Sequence, residues 1–371
     1  MFNFINLMPK ILLFILLLFN CFTYSQRTYE LKKTNESEIN IDGIISEKEI
    51  NSSIKTSIDY EWEPGYNAPA QYETDVYMSY TETHLYVGVF AYGDPENIRG
   101  QVRPRDQMEG DLNEDIVFLR FDPYKDARSV FLLASNAYGS QIDLRARNAI
   151  SDEERYDMTF NALYETKSSI NEKGYIIEFL IPFTSIPYPR GNNQEWGFNM
   201  MRFYTLDGTR VANISDKYDR DNPCRICQIS GKLVMKDIKF KGKTELLPFI
   251  SGNIAGSRGK SSDNSLSYGK AQNEIGLGFK YDVSPSSSVE LTINPDFSQV
   301  EADETQIDIN SAYALQYPEL RPYFNKGMDL LNFLDNAFYS RTINAPSISS
   351  KITSSGKSSR SIILSAIDQN S

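Results

Sequence analysis

Residues Glu274–Val283 read EIGLGFKYDV. Ile275, Leu277, Phe279, Tyr281 and Val283 fall on one side of a period of two, and Glu274, Gly276, Gly278, Lys280 and Asp282 on the other. Successive side chains of a strand point to opposite faces, so this stretch is a strand with one apolar and one polar face. KTELLPFISGN (243–253), SSVELTI (287–293) and SIILSAI (361–367) continue the texture, and GSRGKSSDNSLS (256–267) and SPSSS (284–288) read as loops. Two-faced strands of about ten residues joined by such turns are the pattern of an outer-membrane-type β-barrel. A soluble sandwich sheet alternates in the same way.

Just downstream lies LTINPDFSQVEADETQIDIN (291–310). Between Lys280 and Arg321 the chain has eight Asp or Glu and no basic residue. Pro295 lacks the N–H that a sheet interior uses, so pairing should stop there. The acids that follow cannot face lipid. We expect Glu301 and Asp303 to lie in a lumen or a water-exposed loop and to pair with Arg321 or Arg341, with cation binding as the alternative. Residues 241–371 then form the front of a barrel with an acidic insertion over about 294–335. Some five strands fit, whereas a membrane barrel needs at least eight. The sequence therefore reads as the front part of a longer protein, or as a truncated frame.

Residues 26–240 have another texture. DVYMSY, HLYVGVFAY, EDIVFLRFD, SVFLLASN, YIIEFLIPF and WGFNMMRFY are rich in β-branched and aromatic residues, and Gly, Pro, Asn and Asp cluster between them. Many short strands at this spacing predict an antiparallel β-sandwich, so the fold class is all-β throughout. Residues 1–25 carry one basic residue, the apolar run ILLFILLLF and a small-residue cleavage pattern before Gln26. That is a secretory signal peptide, and the chain is read as exported. Cys21 lacks the small residues that precede a lipidated cysteine.

The net charge of −11 argues against a nucleic-acid partner. His84 is the only histidine, and it begins the strand HLYVGVF. A Ser-His-Asp or Cys-His mechanism is untenable on it. In an exported chain, Cys224 and Cys227 of NPCRIC read as a small disulfide loop rather than half a zinc site.

Sugars are held by aromatic faces together with planar polar groups. Trp62, in YEWEPGYNAP, lies in a Pro/Gly-containing loop between Tyr60 and Tyr66, and these three are the candidate platform. Trp196, heading an alternating strand, reads as core. The acidic loop Asp106–Asp115 offers oxygen ligands for Ca²⁺, with Asp111, Glu114 and Asp115 as first choices. Solvated turn acids are the competing reading, and no EF-hand spacing is present.

Two resemblances enter here. INIDGIISEKEI (39–50) is similar to the opening of family 9 carbohydrate-binding modules. The order TDVYMSYTETHLYVGVFAYGDPENI, NEDIVFLRFDPYKDARSVFLLASNAYGSQID, GYIIEFLIPFTSI, WGFNMMRF resembles theirs as well. The resemblance implies a β-sandwich, glycan binding and a structural Ca²⁺. Members carry Trp in a segment like YDMTFNALYE, where this chain has Phe160 and Tyr164, which join the ligand-binding candidates. LTINPDFSQVEADETQIDIN, YPELRPYFNKG and FYSRTI resemble hallmark segments of a Gram-negative outer-membrane family. That family places such a module before a barrel of uncharacterised function.

Together these imply a carbohydrate-binding protein of the outer membrane or periplasm, serving polysaccharide binding, catabolism or uptake. Its partners would be oligo- or polysaccharide, outer-membrane lipid and other envelope proteins. One alternative is a hydrolase of O-glycosyl bonds or a module attached to one. The other is an envelope assembly or transport factor that binds no sugar.

Overall fold

The computed structural model describes residues 27–368 except 108–112, 149–154, 159, 255, 259–265, 271, 296–321, 326–342, 344–345 and 357–358. The signal segment, Asp111, Glu301, Asp303, Arg321 and Arg341 lie outside the described residues.

Two sheets face each other as a sandwich. The larger runs Tyr156–Asp157, Gln141–Ala146, Val130–Asn136, Ile116–Asp122, Gln194–Leu206, Thr209–Ile214, Tyr60–Glu63, Ala68–Pro69. Lys232–Met235 pairs with the first half of Gln194–Leu206 and runs parallel to Thr28–Glu30. The smaller sheet runs Glu165–Asn171, Gly174–Pro182, His84–Tyr92, Thr74–Tyr80, flanked by Lys32–Lys33 and Ile54–Ser57. Val117, Leu119, Phe121, Val87, Val89, Ile177 and Phe179 form part of the core between the sheets, with Trp196 at 1% exposure among them. Trp196 thus packs as expected, edge-on to Phe121 and Phe183.

The central strands of the larger sheet are buried on both faces. Every residue of Ile116–Asp122 and Val130–Asn136 is buried. A second apolar cluster explains this. Phe118, Leu132, Leu144, Met201 and Phe203 on the outer face are covered by Tyr218 and Ile226, with Trp62 packed against them. Two-sided burial turns what would be alternation into the near-continuous apolar run IVFLRF.

The segment Ile39–Ser52 lies over the outer face of the smaller sheet. Glu178, on that face, accepts from Asp42 N at 3.1 Å, Gly43 N at 2.7 Å and Tyr86 Oη at 2.8 Å. Gly88 permits the close approach, because a Cβ there would meet Ile45 at 3.2 Å and the Tyr86 hydroxyl at 2.7 Å. Glu49 begins to organise a six-residue helix, Glu47–Ser52, by accepting from Ser46 N at 2.7 Å and Asn40 N at 2.8 Å.

The third sheet is antiparallel, in the order Thr244–Asn253, Gln272–Ser284, Ser287–Ile293, Pro346–Ser355, Arg360–Asp368. Among the described residues it has these five strands and does not close into a barrel. The strand before Pro295 ends at Ile293, and Asn294 adopts φ 45°. The sheet is inside out. One face carries the aligned rows Tyr281, Val289, Ile352, Ile363 and Leu277, Ile293, Ile348, Ile367. Ile275 on this face is 70% exposed and Ile363 63%. The opposite face aligns Glu245, Lys280, Glu290 and Lys351 across four strands, alternating in charge. Lys351 is buried, and the turn Pro322–Asn325 lies on it: Lys351 Nζ donates to the Tyr323 carbonyl and sits 4.5 Å from that ring's centre.

Candidate functional site

The aromatic residues singled out in the sequence divide into two groups. Tyr60 and Trp62 lie on the strand Tyr60–Glu63, next to the edge strand Ala68–Pro69, and Tyr66 follows in the loop after a cis Glu63–Pro64 bond. All three meet the loop 216–229. Trp62 and Tyr218 have ring centres 5.1 Å apart at 58°. The Tyr66 hydroxyl donates to Asp219 Oδ1 at 3.1 Å, and Arg220 lies 4.9 Å over the Tyr66 ring. Lys217 lies 5.7 Å over Tyr60.

That loop is fixed by reciprocal bonds. Asn67 Nδ2 donates to Tyr218 O and Tyr218 N donates to Asn67 Oδ1, both at 2.8 Å. Asp219 and Gln228 exchange bonds of 2.7 and 2.8 Å. Cys224 and Cys227 are joined as a disulfide in the same loop. The result is a ledge of aromatic faces flanked by one carboxylate and two cations. Tyr66 is half-exposed on it, and the Trp62 indole Nε1 is buried with no acceptor among the described residues. Aromatic faces take the C–H face of a ring, and the flanking charges take hydroxyls.

Phe160 and Tyr164 belong elsewhere. Phe160 packs 5.0 Å from Phe131 against the inter-sheet core. Tyr164 is buried, with its hydroxyl 2.7 Å from Ala134 O and 2.9 Å from Ile142 O. Tyr164 has no ring face free for stacking, so the platform expectation for it is corrected, whereas Phe160 is only partly buried. Aromatic identity marked them in the sequence, but their position on the inner side of the sandwich was set by tertiary packing.

Two of the three acids proposed for Ca²⁺ have protein partners. Glu114 pairs with Arg103 at 2.8 Å and accepts from Asn136 Nδ2 at 2.8 Å. Asp115 is buried and accepts from Arg99 N at 2.8 Å. Burial pushes its carboxyl up to about 6. Among the described residues no three His, Cys, Asp or Glu side chains converge as a metal site. Asp111, the third acid of that expectation, lies outside the described residues.

Other buried acids hold the fold together. Asp143 accepts from Arg105 Nε at 2.8 Å and from Ala162 N, yet burial still raises it to about 6. Glu178, pushed up to about 7 by burial, anchors the Ile39–Ser52 segment. His84 is half-buried, its Nδ1 2.8 Å from Thr83 Oγ1, and burial lowers its pKa. Tyr218, buried behind the ledge, was not among the candidates read from the sequence, where it stands between the charged residues Lys217 and Asp219.

Residues 243–365 match a family described as "Domain of unknown function (DUF5916)". No curated protein matches the chain. In solved structures the chain is similar to a family 9 carbohydrate-binding module of Caldicellulosiruptor kristjanssonii in complex with cellotriose. The identity is 16%, over 57% of this chain and 95% of that one, with a TM-score of 0.39. The same module in complex with glucose gives 16% identity, 58% and 98% coverage and a TM-score of 0.39. A candidate carbohydrate-binding protein from Bacteroides uniformis gives 13% identity, 57% and 99% coverage and a TM-score of 0.43.

Proposed function

We propose that this protein is a membrane-anchored glycan-binding module, in which the third sheet is a section of outer-membrane barrel wall and the sandwich presents the ledge of Tyr60, Trp62 and Tyr66, backed by the buried Tyr218, to saccharide. The inside-out sheet carries this reading. In water, an antiparallel sheet with one wet face buries its apolar side. Here the apolar rows face out, while Glu290 and Lys351 are buried on the other side. An apolar face this wide marks a membrane or protein contact. The charged ladder behind it fits a polar lumen. The strands have 7 to 13 residues, the span of a tilted bilayer-crossing strand.

The ledge supports the glycan half of the reading. Cellotriose and glucose, the ligands of the similar module, are the first saccharides to try. Polysaccharide uptake or catabolism would follow from a glycan receptor on a barrel.

Membrane fractionation tests the anchor. The full chain, expressed in a Gram-negative host, should stay in the outer-membrane pellet through an alkaline wash. An Ile275→Lys, Ile363→Lys variant should be released. Recovery of the parent chain in the soluble fraction would exclude the proposal.

A further inference from the structure

The two ends of the third sheet differ. At one end Gln272–Ser284 turns into Ser287–Ile293 through residues 285–286, and Pro346–Ser355 into Arg360–Asp368 through residues 356–359. Backbone bonds of 2.8 Å tie these turns, from Ser355 N to Ser286 O and from Gly356 N to Ser359 O. The strands alternate in direction, so the opposite end carries the connections 254–271 and 294–345. The first of these forms an antiparallel pair of its own, Gly256–Arg258 with Leu266–Tyr268.

The sandwich meets the end with the short turns. Arg360, which opens its strand there, pairs with Asp126 at 3.3 Å, and its guanidinium lies 5.9 Å from the centre of the Tyr124 ring. The Tyr124 hydroxyl donates to Ser355 O at 3.5 Å. Tyr124 and Asp126 follow the sandwich strand Ile116–Asp122. The covalent link agrees with these contacts. Ile238 is buried in the core between the two sandwich sheets. Thr244 begins the first strand of the third sheet, opposite Tyr281, at the same end. The six steps of chain from Ile238 to Thr244 reach at most about 22 Å. A strand of ten residues, such as Thr244–Asn253, rises about 33 Å. The link is therefore too short to carry the sandwich to the end with the long connections.

Bacterial outer-membrane barrels keep short turns on the periplasmic side and longer loops outside the cell. We infer, resting on the third sheet as barrel wall, that the sandwich stands in the periplasm and that its aromatic ledge takes saccharide already inside the outer membrane. Polysaccharide outside the cell is then out of the ledge's reach. Residues 254–271 and 294–345 belong to the side that faces the medium.

The test is cysteine labelling of the full chain in a Gram-negative host, using a polyethylene-glycol maleimide too large to pass porins. Val102→Cys reports the sandwich, at a position 81% exposed. Tyr268→Cys reports the end with the long connections, at 70% exposure, and Ile254→Cys is a second reporter there. The parent protein, with Cys224 and Cys227 joined, gives the background. In intact cells Tyr268→Cys and Ile254→Cys should label, while Val102→Cys stays at background and labels only once the outer membrane is opened. Labelling of Val102→Cys in intact cells would overturn the inference, and so would background labelling of both Tyr268→Cys and Ile254→Cys. The alkaline-washed outer-membrane pellet of the same cells separates the ways of failing. A chain held in the pellet with Val102→Cys labelled in intact cells overturns the orientation and leaves the barrel wall standing. A chain missing from the pellet overturns both.

Discussion

Lys351 Nζ lies 3.4 Å from Glu290 Oε2, and both residues are at least nine-tenths buried on the covered face of a sheet whose other face is apolar and exposed. Their strands pair antiparallel with Glu290 directly opposite Lys351. Thr292 and Ser349 are a second buried, directly opposed polar pair. Burial of the polar rows together with exposure of the isoleucines reverses the arrangement expected in water.

The ion pair sets a first expectation. Lys351→Met alone takes the buried lysine partner from the Glu290 carboxylate, and should cost about 3–5 kcal/mol. Lys351→Met combined with Glu290→Leu removes both charges and should recover most of that loss. Denaturant melts of the two variants in micelles decide it. Equal losses in the single and double variants would show that the charges are not coupled.

Charge on the exposed face is the complementary case. Ile275→Lys or Ile363→Lys should cost about 2–4 kcal/mol if the site is at the bilayer midplane. Lys280, on the other face of the Ile275 strand, should accept Gln with little change. Folding titrations in lipid vesicles measure both, and a lysine tolerated at Ile275 and Ile363 would contradict a lipid-facing surface.

Glu178 gives a pH dependence. Its carboxyl is raised to about 7 from an ordinary 4.5, mainly by burial. The folded state therefore holds this proton more tightly than the unfolded chain does. Its contribution is fully present below about 4.5 and is lost as pH rises through about 7. Glu178→Gln should flatten the Tm profile across this window relative to the parent. A Tm difference between the two that does not vary with pH would disprove the assignment.

On the ledge, Tyr66→Ala should weaken saccharide binding by about 1 kcal/mol or more while leaving Tm nearly unchanged, since the ring is half-exposed. Trp62→Ala should weaken binding and also lower Tm, because its ring packs against Tyr218 and the outer apolar cluster. Glycan-array binding of the full chain with a parallel thermal melt separates the two effects.

The sequence made some of this architecture legible and hid the rest for physical reasons. EIGLGFKYDV showed its two faces because a period of two survives wherever the faces differ in environment. Pro295 marked the end of pairing because it has no N–H to give. The larger sheet was legible as strands but not as two-sided, since the cover on its outer face comes from residues about 100 positions downstream of Phe118, such as Tyr218. The partners of Glu178 lie 92, 135 and 136 residues away in sequence, beyond any local pattern. Phe160 and Tyr164 looked like a platform because aromatic side chains serve cores and ligands alike. Tyr164 is spent instead on two core carbonyls.

Depth-dependent quenching reads the two faces of the third sheet separately. Tryptophan placed at Ile275 and, separately, at Lys280 in the full chain would be read in vesicles of acyl-brominated phospholipid, each against the parent protein. The account predicts strong added quenching at Ile275 and little at Lys280, five residues along the same strand and on the opposite face. Equal quenching at both positions, or none at Ile275, would contradict a lipid-facing wall.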